Sequence, residues 1–573
     1  MLESTNEDET WRYIRSRLDP PKKCLGLTPI VYEEALRTES ASVNEAWTDH
    51  GTELHEDATG HCRNRIYWHQ YAAKLQRLDP VPEWNDPIFW PESVRTLLCS
   101  SNRKTPGFNG IPAEWMKLVT PKDETTGTPS IPDEPDTILG KRLLELIQRM
   151  FEEAYIPDVR RTAEVVPILK KDSPTDMNDY QTMRLIPSIM KLLCAIPTNR
   201  IQRGLQERKF FAPEQAGFRS REECMSHALT HIEVAQRRSI GGQQPTYVCF
   251  IDFQKAFETA PHEAPFLKME RAGVSEKCLA FFSALYADSW MRIRLGDGSK
   301  TPSIRIRRGL RQGEPASTLL FSIFINDLLN NRRQFVVEVP WIDCGEPGKE
   351  PSHRNRLAGL LFADDVVLLA PAPETLAASM EQVSAWADRW EMSIGASKCG
   401  VMVIHGDSQS IRNRSWRLQN QEIPIVEKYR YLGVCLTPTL DEKAHVDEMI
   451  AKMHRGTAIA RPFLSDPSIP LAIRTRALRM CIIQPATWGA GWCGMKHTNA
   501  SRLQTAANRA MRLVVVVGCS MQSRATNPLA LGLELQIPST EAIAAGCRAC
   551  MRAKGPTMRT SLSRIFMQTP THR

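Results

Sequence analysis

The most constraining segment of this sequence is residues 357–370, LAGLLFADDVVLLA, in which two adjacent aspartates interrupt an apolar run. Burying neighbouring carboxylates costs several kcal/mol unless they reach water or a cation. A β-hairpin with Asp364 and Asp365 at its tip resolves the conflict, because its strands are buried while its tip projects. By itself the segment fits a surface turn equally well. The pattern therefore predicts a hairpin and leaves its chemical role open.

A third carboxylate follows another strand-like run. In TYVCFIDFQKAFE (residues 246–258), Asp252 ends the apolar stretch 247–251. A lone aspartate at a strand end is usually a cap or turn residue, but with Asp364 and Asp365 it makes a set of three. Two divalent metal ions about 3.5–4 Å apart need such a set to activate a hydroxyl and stabilise a leaving oxygen. Because no His or Cys accompanies these carboxylates, they predict two Mg²⁺ ions, which Mn²⁺ can replace.

Length and composition describe a large folded protein rather than a small binding module. The chain has 573 residues, 24% of them charged, and a net charge of +8, which permits a polyanionic partner without requiring one. Its 15 cysteines show no framework spacing, and no stretch approaches the roughly 20 apolar residues that cross a bilayer. We therefore expect an intracellular protein that does not span a membrane, in the cytoplasm or the nucleus.

The order of several motifs resembles the reverse transcriptase domain of non-LTR retrotransposons of the long interspersed element type, over about residues 102–437. The motifs that carry the resemblance are, in chain order, KTPGFNGIPAEWMK (104–117), AEVVPILKKDSPTDMNDYQTMRLIPSIMKLL (163–193), EQAGFRSREEC (214–224), FIDFQKAF (250–257), GLRQGEPASTLLFSIFINDL (309–328), FADD (362–365), SKCGVMVIHG (397–406) and KYRYLGVCL (428–436). A single match would be weak, whereas eight in order are specific.

The resemblance implies an α+β right-hand polymerase fold. Four regions are expected: a helical N-terminal extension (1–95), fingers with a loop insertion near 120–137 (96–245), a palm with the active site (246–426), and a primer-grip hairpin with a helical thumb (427–573). The implied activity is RNA-directed DNA synthesis, with an RNA template, a DNA primer or target and deoxynucleoside triphosphates as partners. The length leaves no room for the endonuclease of an autonomous element, and whether a separate endonuclease partner exists stays open. The oligomeric state stays open.

The resemblance also assigns roles to individual residues. Asp252, Asp364 and Asp365 would hold the metal ions, and Lys398 would protonate the leaving pyrophosphate. Phe257 would reject a 2′-hydroxyl by steric clash, although a Phe there fits an ordinary core as well. The other implied contacts are to substrate for Lys170, Gln181, Gln312 and Gly313, and to nucleic acid for Tyr431. Gln181 stands where the family has an Arg, and Glu258 stands where it has an Asp.

One feature can be interpreted without the family. MRIRLGDGSKTPSIRIRRG (residues 291–309) alternates apolar residues with Arg on both sides of a Gly-Asp-Gly turn. Such a β-ribbon would place four guanidinium groups on one face, where they suit phosphate oxygens along a nucleic-acid backbone. A solvated edge ribbon is the alternative. The four residues are Arg292, Arg294, Arg305 and Arg307.

Two other functions are compatible with these residues. One is a catalytically silent, nucleic-acid-binding remnant of such an element, since accessory positions have diverged while the three aspartates are present. The other is a maturase-like RNA-binding protein, which the same hand could support but for which no tail is recognisable. Cys547 and Cys550 have metal-ligand spacing without a second Cys or His pair, so no zinc site is predicted.

Overall fold

A computed structural model describes residues 13–14, 16–17, 28–120, 131–158, 161–170, 173–330, 335–339, 356–494, 496–515 and 527–560. Most of the loop expected near 120–137 lies outside these residues. The described residues are 52% helical and 14% strand, which confirms the α+β class. No helix among the described residues is long and apolar enough to cross a bilayer.

The strands are short, and most pair in antiparallel ladders. In chain order they are β1 (Ile30–Tyr32), β2 (Ala35–Arg37), β3 (Thr162–Leu169), β4 (Tyr180–Leu185), β5 (Thr246–Asp252), β6 (Ser289–Ile293), β7 (Ile304–Ile306), β8 (Val337–Glu338), β9 (Arg356–Leu357), β10 (Gly359–Phe362), β11 (Asp365–Ala370), β12 (Gly400–Ile404), β13 (Arg417–Leu418), β14 (Gln421–Glu422), β15 (Tyr429–Tyr431) and β16 (Val434–Leu436).

The helices surround the sheets and dominate the C-terminal third. In chain order they are α1 (Ser40–Leu54), α2 (Arg65–Ala72), α3 (Trp90–Cys99), α4 (Ala113–Met116), α5 (Ile138–Glu152), α6 (Ser188–Glu207), α7 (Cys224–Gly242), α8 (Ala256–Thr259), α9 (Glu263–Arg271), α10 (Glu276–Ala287), α11 (Pro315–Ile325), α12 (Pro373–Arg389), α13 (Gln409–Arg412), α14 (Glu442–Leu464), α15 (Leu471–Ala477), α16 (Gln484–Ala486), α17 (Ala490–Cys493), α18 (His497–Val515), α19 (Pro528–Glu534) and α20 (Thr540–Lys554), with a π-helical turn over Leu478–Ile483.

The central sheet has the strand order β10-β11-β5-β12, and all its pairs are antiparallel. Its middle strand, β5, is buried on both faces because alternate side chains enter different hydrophobic clusters. Cys249 and Ile251 join one cluster, whereas Val248 and Phe250 join the other. The continuous apolar run of β5 is the sequence signature of this two-sided burial.

A second sheet, with the order β4-β3-β6-β7, contains the predicted arginine ribbon; we call it the Arg-bearing sheet. The ribbon is not free, because β6 pairs in parallel with β3 while β7 forms the sheet edge. The inner face of β6 and β7 packs Met291 and Ile304 against Val43 and Trp47 of α1. The opposite face is left to the arginines.

The N-terminal residues that the structure describes are integrated into the main core. Trp68 of α2 stacks on Trp390 with ring centroids 5.8 Å apart, and Trp84 and Trp90 belong to the same hydrophobic cluster. A further cluster holds the C-terminal helices together, with Met453 of α14 packed among small residues of α18. The predicted helical extension is therefore mostly helical, with one short β-hairpin, β1–β2.

Candidate active site

The three aspartates meet at one end of the central sheet. Strand β5 ends on Asp252 and strand β11 begins on Asp365, and these two residues face each other in the antiparallel register. Asp364 lies in the turn before Asp365, because Phe362 pairs with Asp365 across the β10–β11 hairpin. The structure thus confirms the predicted hairpin, and it brings Asp252 beside its tip.

A buried loop supports this tight turn from behind. Ala363 adopts a left-handed conformation with φ of +58°, which is unfavourable for a residue with a side chain. The fully buried Gln215 accepts hydrogen bonds through Oε1 from the backbone N–H of Gly217 at 2.9 Å and of Ala363 at 3.3 Å. A Cβ at Gly217 would lie 2.1 Å from the Ala363 nitrogen, so only glycine fits there. Sequence reasoning had not found this support, although both residues lie in the quoted EQAGF motif.

Mutual repulsion and burial disfavour the charged forms of these carboxylates. The pKa of Asp365 is raised to about 7, first by burial and then by the charges of Asp364 and Asp252. The pKa of Asp364 is also raised, by burial and by Asp252, while Lys398 and Lys170 act in the opposite direction. Acidic groups held together against these forces characterise a site that is completed by a cation.

Lys398 supplies the nearest positive charge. Its Nζ lies 2.8 Å from Oδ2 of Asp252, and its side chain is half exposed. Within the described ranges, no three His, Cys, Asp or Glu side chains converge into a metal-binding group. Asp252 is paired with the ammonium of Lys398 instead. The donor set itself fits Mg²⁺ or Mn²⁺, since it offers carboxylate oxygens alone.

Phe257 lies on α8, one helical turn beyond β5. Its ring stacks on Phe321 with centroids 4.5 Å apart and meets the edge of Phe218 at 5.9 Å. The side chain is partly buried and packs against the main hydrophobic cluster. This position is compatible both with the predicted steric gate and with the alternative of a packing residue.

The predicted substrate residue Gln181 of the Arg-bearing sheet contacts the predicted substrate residue Gln312, which lies in the loop before α11. Gln181 of β4 donates from Nε2 to Oε1 of Gln312 at 3.0 Å, and Gln312 donates from Nε2 to Oε1 of Glu258 at 2.6 Å. Gly313 has φ of +93°, a left-handed conformation that favours glycine. Sequence reasoning placed Gln181 and Gln312 in the same site but had not found the contact with Glu258.

Two basic side chains in this region, Lys170 and Arg184, differ in their exposure to solvent. Lys170 is exposed just after β3 and affects the carboxyl group of Asp364 electrostatically. Arg184, three residues beyond Gln181, is 6% exposed, and burial together with the charge of Arg311 lowers its pKa to about 10. Arg184 therefore points into the interior and does not replace the arginine that is missing at position 181.

The four predicted arginines do share one face of the Arg-bearing sheet, but most have an acidic partner. Arg294 pairs with Glu164 at 2.9 Å and Arg307 with Glu56 at 2.8 Å. Arg305 lies 3.8 Å from Asp288. Arg292 donates to Oγ of Ser303 at 2.8 Å and has no ion pair with a described residue. The face is therefore largely neutralised, which the alternation in the sequence does not reveal.

The prediction of nucleic-acid contact by the Tyr431 side chain is corrected by its burial. Tyr431 of β15 is 2% exposed and packs near Phe250 and His231, with ring centroids 6.0 Å away in each case. The family resemblance implied this contact, but strand β15 directs the Tyr431 side chain into the core. In the C-terminal helices, Arg474 is likewise buried and donates to carbonyls such as that of Val514 at 2.7 Å. Cys547 and Cys550 are exposed free thiols.

Comparison with known proteins agrees with this geometry. Residues 168–436 match the family described as reverse transcriptase (RNA-dependent DNA polymerase). An RNA-directed DNA polymerase from the mobile element jockey of Drosophila funebris is 23% identical over 63% of this chain and 39% of its own length. A Pol polyprotein from the type-1 retrotransposable element R2 of Popillia japonica is 27% identical over 48% of this chain and 37% of its own.

A third relative extends the similarity along the chain. The probable RNA-directed DNA polymerase from transposon BS of Drosophila melanogaster is 23% identical over 78% of this chain and 47% of its own length. In all three cases the match spans less than half of the relative. The reverse transcriptase match includes the central sheet and its three aspartates. Over residues 168–436 the chain is thus similar to the reverse transcriptase family, and the relatives named here are polymerases and Pol polyproteins of mobile elements.

Proposed function

We propose that this chain is an RNA-directed DNA polymerase that adds deoxynucleotides to the 3′-hydroxyl of a DNA primer on an RNA template. The observation that carries the proposal is the cross-strand pair of Asp252 and Asp365 with Asp364 beside it. Rigid strands hold these carboxylates at the open end of the sheet, where a primer end and a triphosphate can both approach. Their mutual repulsion is relieved when cations bind.

Asp252, Asp364 and Asp365 would hold two divalent ions, Mg²⁺ or in its place Mn²⁺. When bound, such ions activate the attacking hydroxyl and stabilise charge on the leaving oxygen. The protein contributes the geometry of the turn, which Gln215 fixes from the buried side. Lys398 would move from Asp252 toward the triphosphate and protonate the leaving pyrophosphate, since its ammonium is half exposed next to the carboxylates.

The incoming nucleotide would lie between the two sheets. Lys170 would attract its phosphates, and Gln181, Gln312 and Gly313 would border it on the other side. Phe257 would press on the sugar and exclude a 2′-hydroxyl by steric clash, because Phe218 and Phe321 restrain its ring. Selection by clash costs the enzyme no buried, unpaired polar group when the deoxynucleotide is bound.

The outer face of the Arg-bearing sheet would support the template–primer duplex through phosphate contacts. Arg292 would make the main phosphate contact, because Arg294, Arg305 and Arg307 are held by acidic partners. RNA template, DNA primer or target and deoxynucleoside triphosphates are the partners in this proposal.

Primer extension tests the proposed activity. Purified wild-type protein is assayed with Mg²⁺ on poly(rA)/oligo(dT) and on a heteropolymeric RNA, beside the Asp364→Ala/Asp365→Ala variant. We expect extension by the wild type and a loss of about 10³-fold or more in the variant, because the metal-binding carboxylates are gone. Asp297→Asn, an exposed aspartate in the β6–β7 turn, serves as the matched control. Extension that survives in the double variant would contradict the site.

A second candidate is a nucleic-acid-binding remnant without catalysis. The observation that favours it is the neutral Gln181 at the place of the family's Arg, because a bidentate cation at a phosphate site is not replaced by an amide. In that case the wild type would bind template–primer but extend nothing. Filter binding in parallel with the extension assay separates the two functions.

A further inference from the structure

Glu258 is a buried carboxylate at the edge of the proposed nucleotide site. It follows Phe257 on α8, it is 8% exposed, and its Oε1 accepts the 2.6 Å hydrogen bond from Nε2 of Gln312. Burial raises its pKa, and the positive charges of Lys255 and Arg184 oppose that rise. A carboxylate in such surroundings is retained only where its hydrogen bonds are satisfied.

The chemistry of this carboxylate determines how the Gln312 amide is oriented. The Oε1 atom of Glu258 accepts a hydrogen bond in this contact, so the amide NH₂ of Gln312 has to face it. The amide oxygen then faces away and accepts the 3.0 Å hydrogen bond from Gln181. One N–H and one oxygen lone pair of the Gln312 amide remain for a ligand. The same orientation of the amide sets their directions.

The backbone that carries Gln312 is held firmly against α8. Leu310 donates its N–H to the carbonyl of Phe257 at 2.6 Å, and Gly309 donates to the carbonyl of Ala260 at 2.9 Å. A Cβ at Gly309 would lie 2.4 Å from the Glu258 carbonyl oxygen, so the two segments are in close contact. With the backbone fixed in this way, the orientation of the Gln312 side chain depends on its two amide partners.

We propose that Glu258 is a positioning residue that orients the Gln312 amide. The hydrogen bonds from Glu258 through Gln312 to Gln181 then connect helix α8 with the Arg-bearing sheet. This connection sets the affinity for the incoming nucleotide. This inference rests on the proposed polymerase activity. Its consequence is that Glu258 acts on nucleotide binding through Gln312, without touching the metal ions or the reacting atoms.

Steady-state kinetics with Glu258→Gln test the proposal. A glutamine at position 258 both donates and accepts, so either face of the Gln312 amide can meet it and the preferred orientation is lost. We expect the KM for deoxynucleotides to rise about tenfold with kcat within about twofold of wild type, the effect of losing one charge-assisted hydrogen bond. Glu258→Asp keeps an acceptor-only group and should restore most of the affinity. Glu263→Gln on α9, whose partner is Arg65, is the matched control.

Hydrogen–deuterium exchange of the nucleotide-free protein gives a readout that does not depend on activity. Segments 180–185 and 309–315 should exchange faster together in Glu258→Gln and not in Glu263→Gln. If the wild type extends no primer, the proposed function fails, and the exchange data still decide whether Glu258 positions Gln312. An unchanged KM, a loss of kcat alone, or unchanged exchange in both segments would overturn the inference. If Glu258→Gln unfolds, failure of Glu258→Asp to recover the wild-type KM would overturn it too.

Discussion

The carboxylate end of the central sheet and the arginine face of the second sheet treat charge in opposite ways. At the central sheet, Asp252 pairs with Lys398, while burial and the charges of Asp364 and Asp252 raise the pKa of Asp365 to about 7. On the Arg-bearing sheet, three of the four arginines already have an acidic partner. An excess of like charge that is built into a rigid turn implies a ligand of the opposite charge, whereas a row of paired charges does not.

Removing the positive charge that pairs with Asp252 should have the largest effect of the variants that probe this contrast. Lys398→Met is expected to lower kcat for primer extension about 100-fold, because both the countercharge and the proton donor are lost. Lys398→Arg separates the two roles, since it keeps the charge but does not readily release a proton. Lys300→Met, an exposed lysine paired with Glu164, is the control. Equal rates for Lys398→Met and wild type would contradict the role of Lys398.

Neutralising one carboxylate should stabilise the metal-free protein. The pKa of Asp365 is about 7 in the folded state and about 3.9 in an unfolded chain, so the folded state binds more protons and stability falls as pH rises from about 4 through 7. Asp365→Asn removes this cost. We expect about 1–3 kcal/mol of added stability at pH 8 and little difference at pH 4.

Thermal unfolding at the two pH values measures this difference. Asp297→Asn provides the control, because hydrogen bonds from Ser299 lower the pKa of Asp297 and its removal should not stabilise the protein. Added Mg²⁺ should raise the Tm of the wild type more than that of Asp365→Asn. A less stable Asp365→Asn protein at pH 8 would contradict the excess of negative charge.

The smallest effect is expected on the arginine face. Replacing Arg292, Arg294, Arg305 and Arg307 with Gln should reduce the slope of log K against log salt by about 1, since only one of them has no ion pair with a described residue. Arg292→Gln alone should reproduce most of this change, and Arg142→Gln on α5 should not. An unchanged slope would reject duplex binding by this face. A decrease of about 4 in this slope would mean that the ion pairs of Arg294, Arg305 and Arg307 open when nucleic acid binds.

The sequence predicted the hairpin at residues 357–370 and the strand before Asp252 because their constraints are local. Buried strands need apolar runs, and charged residues need an exit at the strand end. The prediction for Tyr431 was wrong, because its side chain is buried although its motif suggested contact with nucleic acid. The missing information was the direction in which β15 turns its side chains, which depends on the packing partners.

What the sequence by itself determined is the set of chemical groups: three aspartates at strand ends, a lysine after them and four alternating arginines. Only the tertiary structure decided which charges remain uncompensated, because Glu164, Glu56 and Asp288 reach the arginines from distant parts of the chain. The same holds for Glu258 and Gln312, which are 54 residues apart and meet through one hydrogen bond. Electrostatic balance depends on distances of a few ångströms between such groups, and the chain order does not contain those distances.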